Sequence, residues 1–229
     1  MDENIDLEFV LKMFVLSLLF CIFSGTLLPC ESLTTGCVNA TYPSADCCSG
    51  DIELEATLTS IGDSAFNGCS GLTGSLTIPN GVISIGIKAF LGCNGFTGSL
   101  TIPNSVTSIG VSAFDGCASF SGPLTIPGSV VSIGSYAFYN CHSFTGNLTI
   151  PEGITSIGDY TFYNCHQFSG NLTIPDTVTY IGSYAFYDCR SFTGSLIIPN
   201  GITSISDYAF DGCKGLTGSL IIPEGVTSI

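Results

Sequence analysis

The sequence predicts a repeat solenoid, and three observations lead to this fold class. Seven blocks of 24 residues follow one another without insertion or deletion from Asp51 to Gly218, and an eighth block runs on to Ile229. The blocks keep the same apolar, Gly, Pro and Cys positions, as a comparison of 75–98 with 99–122 shows. One block is too short to bury a core alone, so its apolar side chains need neighbouring turns. Strict periods of about 20 to 50 residues are typical of solenoids built in this way.

Each block begins with a short predicted strand. In the block 75–98, Leu76 and Ile78 alternate with polar residues, which is the period of a strand with one buried face. Pro79 ends this strand because it cannot donate a ladder hydrogen bond. The remaining apolar positions of the block are Val82, Ile85, Ala89, Phe90, Cys93 and Phe96. Since they recur in every block, we expect the core to run along the whole array.

The composition argues against binding to nucleic acid. Four Lys and Arg residues stand against eighteen Asp and Glu residues, which gives a formal net charge of -14. A chain this acidic repels nucleic acid.

The sequence also contains no phosphate-binding loop, nucleophile elbow, His-Glu-x-x-His or EF-hand pattern. We therefore predict no enzymatic activity, no cofactor and no metal site.

The residues before the repeats indicate export. From Met13 to Leu28 the chain is almost unbroken in its apolar character, short for a spanning helix and similar to a signal-peptide core. An uncleaved membrane anchor and a buried helix are the alternatives. The residues before this segment are acidic where a signal peptide is basic, and translation from Met13 instead of Met1 would remove that anomaly. We predict a signal peptide or signal anchor over 1–28, and a secreted or cell-surface protein.

Four cysteines predict a disulfide-stapled N-terminal cap over 29–50. An exported protein could join them as two disulfides. Because Cys47 and Cys48 are neighbours, they are poor partners for each other, and two pairings remain: 30 with 47 and 37 with 48, or 30 with 48 and 37 with 47. A zinc site is the rival interpretation, but two C-x-x-C knuckles are lacking. The four residues are Cys30, Cys37, Cys47 and Cys48.

Another cysteine recurs once per block within the repeats 51–229. Equivalent residues of adjacent turns lie about 5 Å apart if their strands pair, so metal or redox chemistry is an alternative. A free Cys that follows Ala-Phe in each block is better explained as a small buried apolar residue, so we expect reduced, structural thiols. This column contains Cys69, Cys93, Cys117, Cys141, Cys165, Cys189 and Cys213.

The repeats resemble a known family. The signature Ile-Pro-x-x-Val-x-x-Ile-Gly-x-x-Ala-Phe-x-x-Cys-x-x-Leu/Phe, found from Ile102 to Phe120 and from Ile174 to Phe192, is similar to the BspA-like leucine-rich repeats of surface proteins in bacteria and some unicellular eukaryotes. A Thr-Gly-Ser stretch lengthens the family's common unit by one residue. The resemblance implies a curved solenoid with a parallel β-sheet on its concave side. It also implies adhesion or protein recognition at the cell surface, without enzymatic residues.

Tyrosines supply the candidate binding patch. They bracket the Ala-Phe pair in three consecutive blocks, and if this segment is a helical turn, residues three apart share a face. Tyrosine offers a large contact area at low entropic cost and is enriched at interfaces. Packing between turns is the alternative explanation. The candidate patch, which Tyr180 and Tyr208 would extend, contains Tyr136, Tyr139, Tyr160, Tyr163, Tyr184 and Tyr187.

Other surface columns have simpler interpretations. Thr77 and its equivalents should form an outward hydroxyl ladder, which strand propensity explains and which recognition of glycan or ice would explain as an alternative. His142 and His166 share a column with Arg190 and Lys214, so we expect solvated cations there. Asn-x-Thr acceptors for glycosylation begin at Asn39, Asn147 and Asn171.

Three functions are compatible with this sequence. The first is a secreted or cell-surface protein-binding or adhesion module that recognises an extracellular protein or glycan. The second is a structural coat or matrix protein that self-associates, and the third is a hydroxyl-array binder of glycan or ice. The last block lacks the Ala-Phe turn and the Cys, so we expect an apolar end formed by Leu220, Ile222, Val226 and Ile229. We therefore expect a fragment of a longer protein, or association end to end.

Overall fold

The computed structural model describes residues 49–229 and, before them, the backbone of two strands, β1 (Phe20–Phe23) and β2 (Thr26–Pro29). These two strands pair antiparallel. The rest of the predicted signal segment and of the cap lies outside the described residues. So do the side chains of Cys30, Cys37, Cys47 and Cys48 and the acceptor Asn39.

From residue 49 onward the chain forms a parallel-strand solenoid, which confirms the predicted fold class, and these described residues contain no helix. Its strands are short and fall into three groups. The first group carries the Leu-Thr pair, or Leu-Ile in its last two strands: β6 (Leu76–Thr77), β8 (Leu100–Thr101), β13 (Leu148–Thr149), β15 (Leu172–Thr173), β17 (Leu196–Ile197) and β18 (Leu220–Ile221). The second carries the Ser-Ile pair, or Tyr-Ile in its last strand: β4 (Ser60–Ile61), β7 (Ser84–Ile85), β9 (Ser108–Ile109), β11 (Ser132–Ile133), β14 (Ser156–Ile157) and β16 (Tyr180–Ile181). The third contains β3 (Ser49–Asp51), β5 (Gly71–Thr73), β10 (Gly122–Pro123) and β12 (Phe144–Thr145).

The strand register repeats the sequence period. Strands β6 and β8 pair Leu76 with Leu100, and β4, β7, β9 and β11 form one four-stranded sheet in which each Ile faces its equivalent one block away. In the first group Leu points inward and Thr outward, except that Leu196 is half-buried and Leu220 exposed near the C-terminal end. An insertion in one block would shift this register and move its apolar residues out of line, which explains why the block length is constant.

Two columns of stacked phenylalanines fill the core. The first runs from Phe66 to Phe210 with ring centroids 5.1 to 5.5 Å apart. The second runs from Phe96 to Phe192 at 5.0 to 6.2 Å. The columns touch edge to face, as at Phe90 and Phe96. Because each ring contacts the equivalent ring of the next turn, burial is shared along the array, as expected for a solenoid.

The segment around each Ala-Phe pair is a non-helical turn, so the expectation of a helical turn in this segment is wrong. Its first residue has a left-handed backbone, with φ of 61° at Tyr136, 56° at Lys88 and 53° at Ser112. This conformation costs about 1 to 2 kcal/mol for a residue with a Cβ. It is maintained because the turns are hydrogen-bonded to each other here, for example from Phe90 N to Ala113 O at 2.8 Å. The strain occurs with Lys, Ser and Tyr alike, and it therefore belongs to the architecture.

The cysteine column is buried except for the half-buried Cys213, and its free thiols have a structural role. Cys117 Sγ donates to Phe90 O at 3.0 Å, and the same contact recurs from Cys93 to Cys213 at 2.9 to 3.1 Å. Burial raises the pKa of the Cys93 thiol to about 12, so it stays protonated as a donor. Cys69 is an exception, because it is disulfide-bonded, and the expectation that all seven repeat cysteines are reduced is wrong at this position.

At the C-terminal end an apolar recess of about 580 Å³ is open. Ile198, Phe210 and Ile222 contribute to its lining, and Ile229 is 85% exposed. The apolar end expected from the sequence is therefore present. Its association with another chain remains a prediction.

Candidate functional site

The six predicted tyrosines form two parallel rows on one face of the solenoid. Stacked rings of the first row, from Tyr136 to Tyr208, have centroids 4.8 Å apart. Those of the second row, from Tyr139 to Tyr187, are 4.7 to 4.9 Å apart. These spacings equal the distance between hydrogen-bonded strands, so the backbone ladder sets them. The first row contains Tyr136, Tyr160, Tyr184 and Tyr208, and the second contains Tyr139, Tyr163 and Tyr187; together we call them the double tyrosine row.

The two rows pack against each other. Rings within a block, such as Tyr136 and Tyr139, are 5.7 Å apart and tilted by 48°, and Tyr139 also lies 6.2 Å from Tyr160. All six predicted tyrosines are half-buried, whereas Tyr208 is 56% exposed. The rings therefore do pack between turns, and the surface they present consists of ring edges and hydroxyl groups.

The phenol groups of the six half-buried tyrosines face water. No described residue forms a hydrogen bond with their hydroxyls, and none of these hydroxyls belongs to the buried polar atoms that lack a partner. Burial of the rings, the largest cause, raises the pKa of Tyr136, Tyr139, Tyr163 and Tyr184 above its usual value, and nearby tyrosines and aspartates add to the shift. The hydroxyls at these four positions thus remain protonated at neutral pH and can both donate and accept hydrogen bonds.

Carboxylates border the first row. Asp159 and Asp207 each directly precede a tyrosine of this row. Asp159 Oδ1 accepts a hydrogen bond from Ser183 N at 2.9 Å and another from the hydroxyl of Tyr180 at 3.4 Å. The backbone of the next turn thereby fixes the position of this carboxylate, and Asp207 is exposed.

The second row is bordered by the column of histidines and cations. His142 and His166 stack with ring centroids 5.1 Å apart and are half-buried, so the expectation that these two side chains are fully solvated is wrong. Burial lowers the pKa of His166, which favours the neutral ring. Arg190, in the same column, binds the Asp188 carboxylate with two hydrogen bonds and thereby lowers the pKa of that carboxyl.

The threonine column and two of the acceptor asparagines lie where the sequence places them. Thr77 and its equivalents at 101, 125, 149 and 173 are exposed. Asn147 and Asn171 are exposed on adjacent turns, and Asn147 Oδ1 accepts a hydrogen bond from Asn171 N at 2.9 Å. Glycosylation at these positions remains a prediction.

One exposed apolar group was missed by sequence reasoning. Ile83 and Val131 are 55% and 57% exposed, and Ile87 and Val111 are also exposed. Their columns carry Thr, Ser or Asp in other blocks, so an aligned comparison of the blocks could have revealed them. Ile83, Ile87 and Val111 lie on the turns before the tyrosines, and Val131 lies in the same block as Tyr136.

Within residues 49–229, no three His, Cys, Asp or Glu side chains come together in a way that could hold a metal ion. The part of the chain that the structure describes also has no helix long and apolar enough to cross a membrane.

Comparison with known proteins places these features in a family. The profile of the BspA type leucine rich repeat region matches residues 42–145 and 122–229, with six copies. The crystal structure of a T. pallidum leucine rich repeat protein is similar, with a TM-score of 0.60 and 28% identity over 88% of this chain and 85% of that chain. A leucine rich cell surface protein from Faecalibacterium prausnitzii A2-165 shares 28% identity over 75% of this chain and 59% of that chain, with a TM-score of 0.42. The comparison with curated proteins gave no match. The family match covers the whole of the solenoid, and the chain therefore belongs to the BspA-type leucine-rich repeat family.

Proposed function

We propose that this protein is a non-catalytic protein-binding module that acts outside the cell, either secreted or at the cell surface, and that it binds through the double tyrosine row. The observation that carries this proposal is the set of solvent-facing hydroxyls on half-buried, stacked rings. The family supports a role in protein interaction, and one similar solved structure is described as a cell surface protein.

The rows suit recognition because their rings are already ordered. Each ring stacks on its equivalent in the next turn, so little side-chain entropy remains to be lost when a partner binds. A rigid tyrosine surface provides contact area together with hydrogen-bonding groups. Turns 75–98 and 99–122 build the same backbone without tyrosines, which indicates that the fold does not require them.

The buried thiols support the non-catalytic part of the proposal. A reactive cysteine needs a lowered pKa and access to solvent. Desolvation instead raises the pKa of Cys117, Cys141 and Cys189, and all three are buried. His142 and His166 lie against each other and not beside a nucleophile, which is a poor arrangement for general base catalysis.

Attachment of the full chain to a panel of immobilised extracellular matrix proteins and glycans tests this function. We expect saturable binding to a protein of the panel. The variant Tyr139→Ser, Tyr163→Ser, Tyr187→Ser should lose most of that binding while the far-UV circular dichroism spectrum is retained. Because these rings also pack between turns, the parallel variant Tyr139→Phe, Tyr163→Phe, Tyr187→Phe removes only the hydroxyls and keeps the stacking.

A threonine variant serves as the matched control. Thr125→Val, Thr149→Val, Thr173→Val removes three hydroxyls from the exposed threonine column on the same turns, and unglycosylated protein should be used because the sequons at 147 and 171 change. We expect this control to bind normally. Loss of binding in the control with normal binding in the serine variant would contradict the proposal and favour the hydroxyl array.

A further inference from the structure

We propose that the partner segment bound by the double tyrosine row is basic, that is, an extended stretch of protein rich in Lys and Arg. This inference rests on the proposed function and deepens it by giving the chemistry of the partner. It follows from three features of the same surface: the hidden ring faces, the aspartates beside the first row, and the absence of an ion pair at those aspartates within residues 49–229.

The ring faces are not available to a ligand within the rows. Tyr160 has Tyr136 on one face and Tyr184 on the other, at 4.8 Å each with interplanar angles of 8 to 9°. A sugar usually binds an aromatic protein surface by laying its apolar face on a ring, and this mode is blocked at Tyr160 and Tyr163. What remains is a row of phenol oxygens that can accept hydrogen bonds from ammonium, guanidinium or backbone N–H groups.

The aspartates beside the rows give this surface its charge. Asp159 and Asp207 border the first row, and Asp115 and Asp211 continue the column of the second row beyond its two ends. Oδ1 of Asp159 is held by Ser183 N, and among the described residues no donor binds its second oxygen. An oriented carboxylate next to tyrosine hydroxyls is well suited to a charge-assisted hydrogen bond from a cationic side chain.

The basic residues of the repeats do not neutralise the carboxylates of Asp159 and Asp207. In the described repeats the basic residues are Lys88, Arg190 and Lys214. Arg190 is bound to Asp188. Lys88 acts on Asp115, beyond the end of the second row, and Lys214 follows Arg190 in the column that borders the second row and not the first. Within residues 49–229 the carboxylates of Asp159 and Asp207 form no ion pair, and the whole chain carries a net charge of -14. Long-range attraction therefore also favours a basic partner.

The spacing of these carboxylates suggests how the segment lies. Asp159 and Asp207 are two turns apart, about 10 Å along the solenoid axis at the strand spacing. A polyproline II chain rises about 9 Å over three residues and returns to the same side. A segment that lies along the rows with basic residues three positions apart would therefore place one cation at each carboxylate.

The test is a binding titration of the full chain with synthetic peptides of about twelve residues that place Lys at every third position between Pro residues. A peptide with Glu in place of Lys is the reference. We expect the Lys peptide to bind and the Glu peptide not to bind, with an affinity that falls at high salt because exposed charges are screened. The variant Asp159→Asn, Asp207→Asn should weaken binding by about tenfold, since two charge pairs are lost.

The control variant is Asp63→Asn, Asp176→Asn. Asp63 occupies the column of Asp159 four turns earlier and accepts a backbone hydrogen bond from Ile87 N in the same way, and Asn keeps that acceptor. Both double variants lose the same net charge, so equal weakening would mean that the peptide binds an acidic protein without a site and would overturn the inference.

The outcome also distinguishes the two proposals. If the serine variant of the second row abolishes attachment to a protein while salt and the Asp159 and Asp207 substitutions have no effect, the proposed function stands and the basic partner is wrong. If a glycan binds at the rows independently of these carboxylates, the inference is also overturned. If the serine variant binds as well as the unchanged chain, both proposals fail.

Discussion

Turns 75–122 and turns 123–194 share the backbone of the Ala-Phe turn and carry different surfaces on it. The left-handed residue that opens the Ala-Phe turn is Lys88 or Ser112 in the first region and Tyr136, Tyr160 or Tyr184 in the second, with φ between 53° and 61° throughout. Both phenylalanine columns pass through the two regions without interruption. The comparison teaches that the core and the hydrogen bonds between turns specify the solenoid, while the outward residues of the turn can change independently.

The largest expected effect concerns the part that the two regions share. Phe114→Ala and Phe138→Ala each remove a fully buried ring from the first column, and each should lower the free energy of unfolding by about 3 to 5 kcal/mol. We expect similar losses at both positions because the surroundings are repeated. Urea unfolding followed by circular dichroism measures this, and a much smaller loss at either position would show that the two cores differ.

The next largest effect concerns the surface that distinguishes the regions. Tyr160→Ser with Tyr163→Asp gives turn 147–170 the residues that turn 99–122 carries at these two positions, Ser112 and Asp115. The two substitutions remove four stacked pairs, two at Tyr160 and two at Tyr163. Stacked aromatic pairs contribute about 0.5 to 1.5 kcal/mol each, and because these rings are half-exposed we expect the lower part of that range, a loss of about 2 to 3 kcal/mol with an unchanged fold. Thermal unfolding gives the loss. Unfolding of the whole chain at room temperature would contradict the independence of surface and backbone.

A smaller effect is expected for the thiol contacts, and again it should be equal in both regions. Cys117→Ala and Cys141→Ala each remove a hydrogen bond to a phenylalanine carbonyl, which should lower the free energy of unfolding by about 1 kcal/mol. In the native chain the thiols of Cys93, Cys117, Cys141, Cys165 and Cys189 should not react with a thiol-specific disulfide reagent at neutral pH. Rapid modification without denaturant would contradict their burial.

The smallest effect is a difference in alkaline sensitivity. Burial raises the pKa of Tyr136, Tyr139, Tyr163 and Tyr184 above 10.0, so their neutral form is favoured in the folded state. A raised pKa gives stability that is present below the unfolded value and is lost as the pH rises through the folded value. Melting temperatures above pH 10 should therefore fall more steeply in the unchanged chain than in a variant with Tyr139→Phe and Tyr163→Phe. Parallel curves would mean that these phenols titrate normally.

The sequence predicted the repeat register and the core well, because both follow directly from the spacing of the apolar residues. Alternation at Leu76 and Ile78 and the recurring Phe90 and Phe96 correspond directly to strand faces and ring columns. The sequence did not predict the left-handed turn at Tyr136, because tyrosine has no preference for that conformation and the hydrogen bonds of the neighbouring turn impose it.

The sequence predicted which tyrosines belong to the candidate site but not how their rings are arranged. The six tyrosines were identified from their positions, whereas their stacking follows from the 4.8 Å spacing of parallel turns. The histidines were misjudged because their exchange with Arg and Lys along the column suggested exposure, while stacking half-buries both rings. The disulfide at Cys69 breaks a column that the sequence presents as uniform.

The most direct test of the account is to extend the double tyrosine row by one turn. The chain carrying Ser112→Tyr and Asp115→Tyr places two new rings beside Tyr136 and Tyr139, at a position where φ is already 53°. If the same turn backbone accepts tyrosines as well as the residues of turn 99–122, the free energy of unfolding of this variant in urea should equal that of the unchanged chain or exceed it by about 1 kcal/mol for each new stacked pair. A loss of more than about 1 kcal/mol would contradict the claim that the tyrosine surface is independent of the fold.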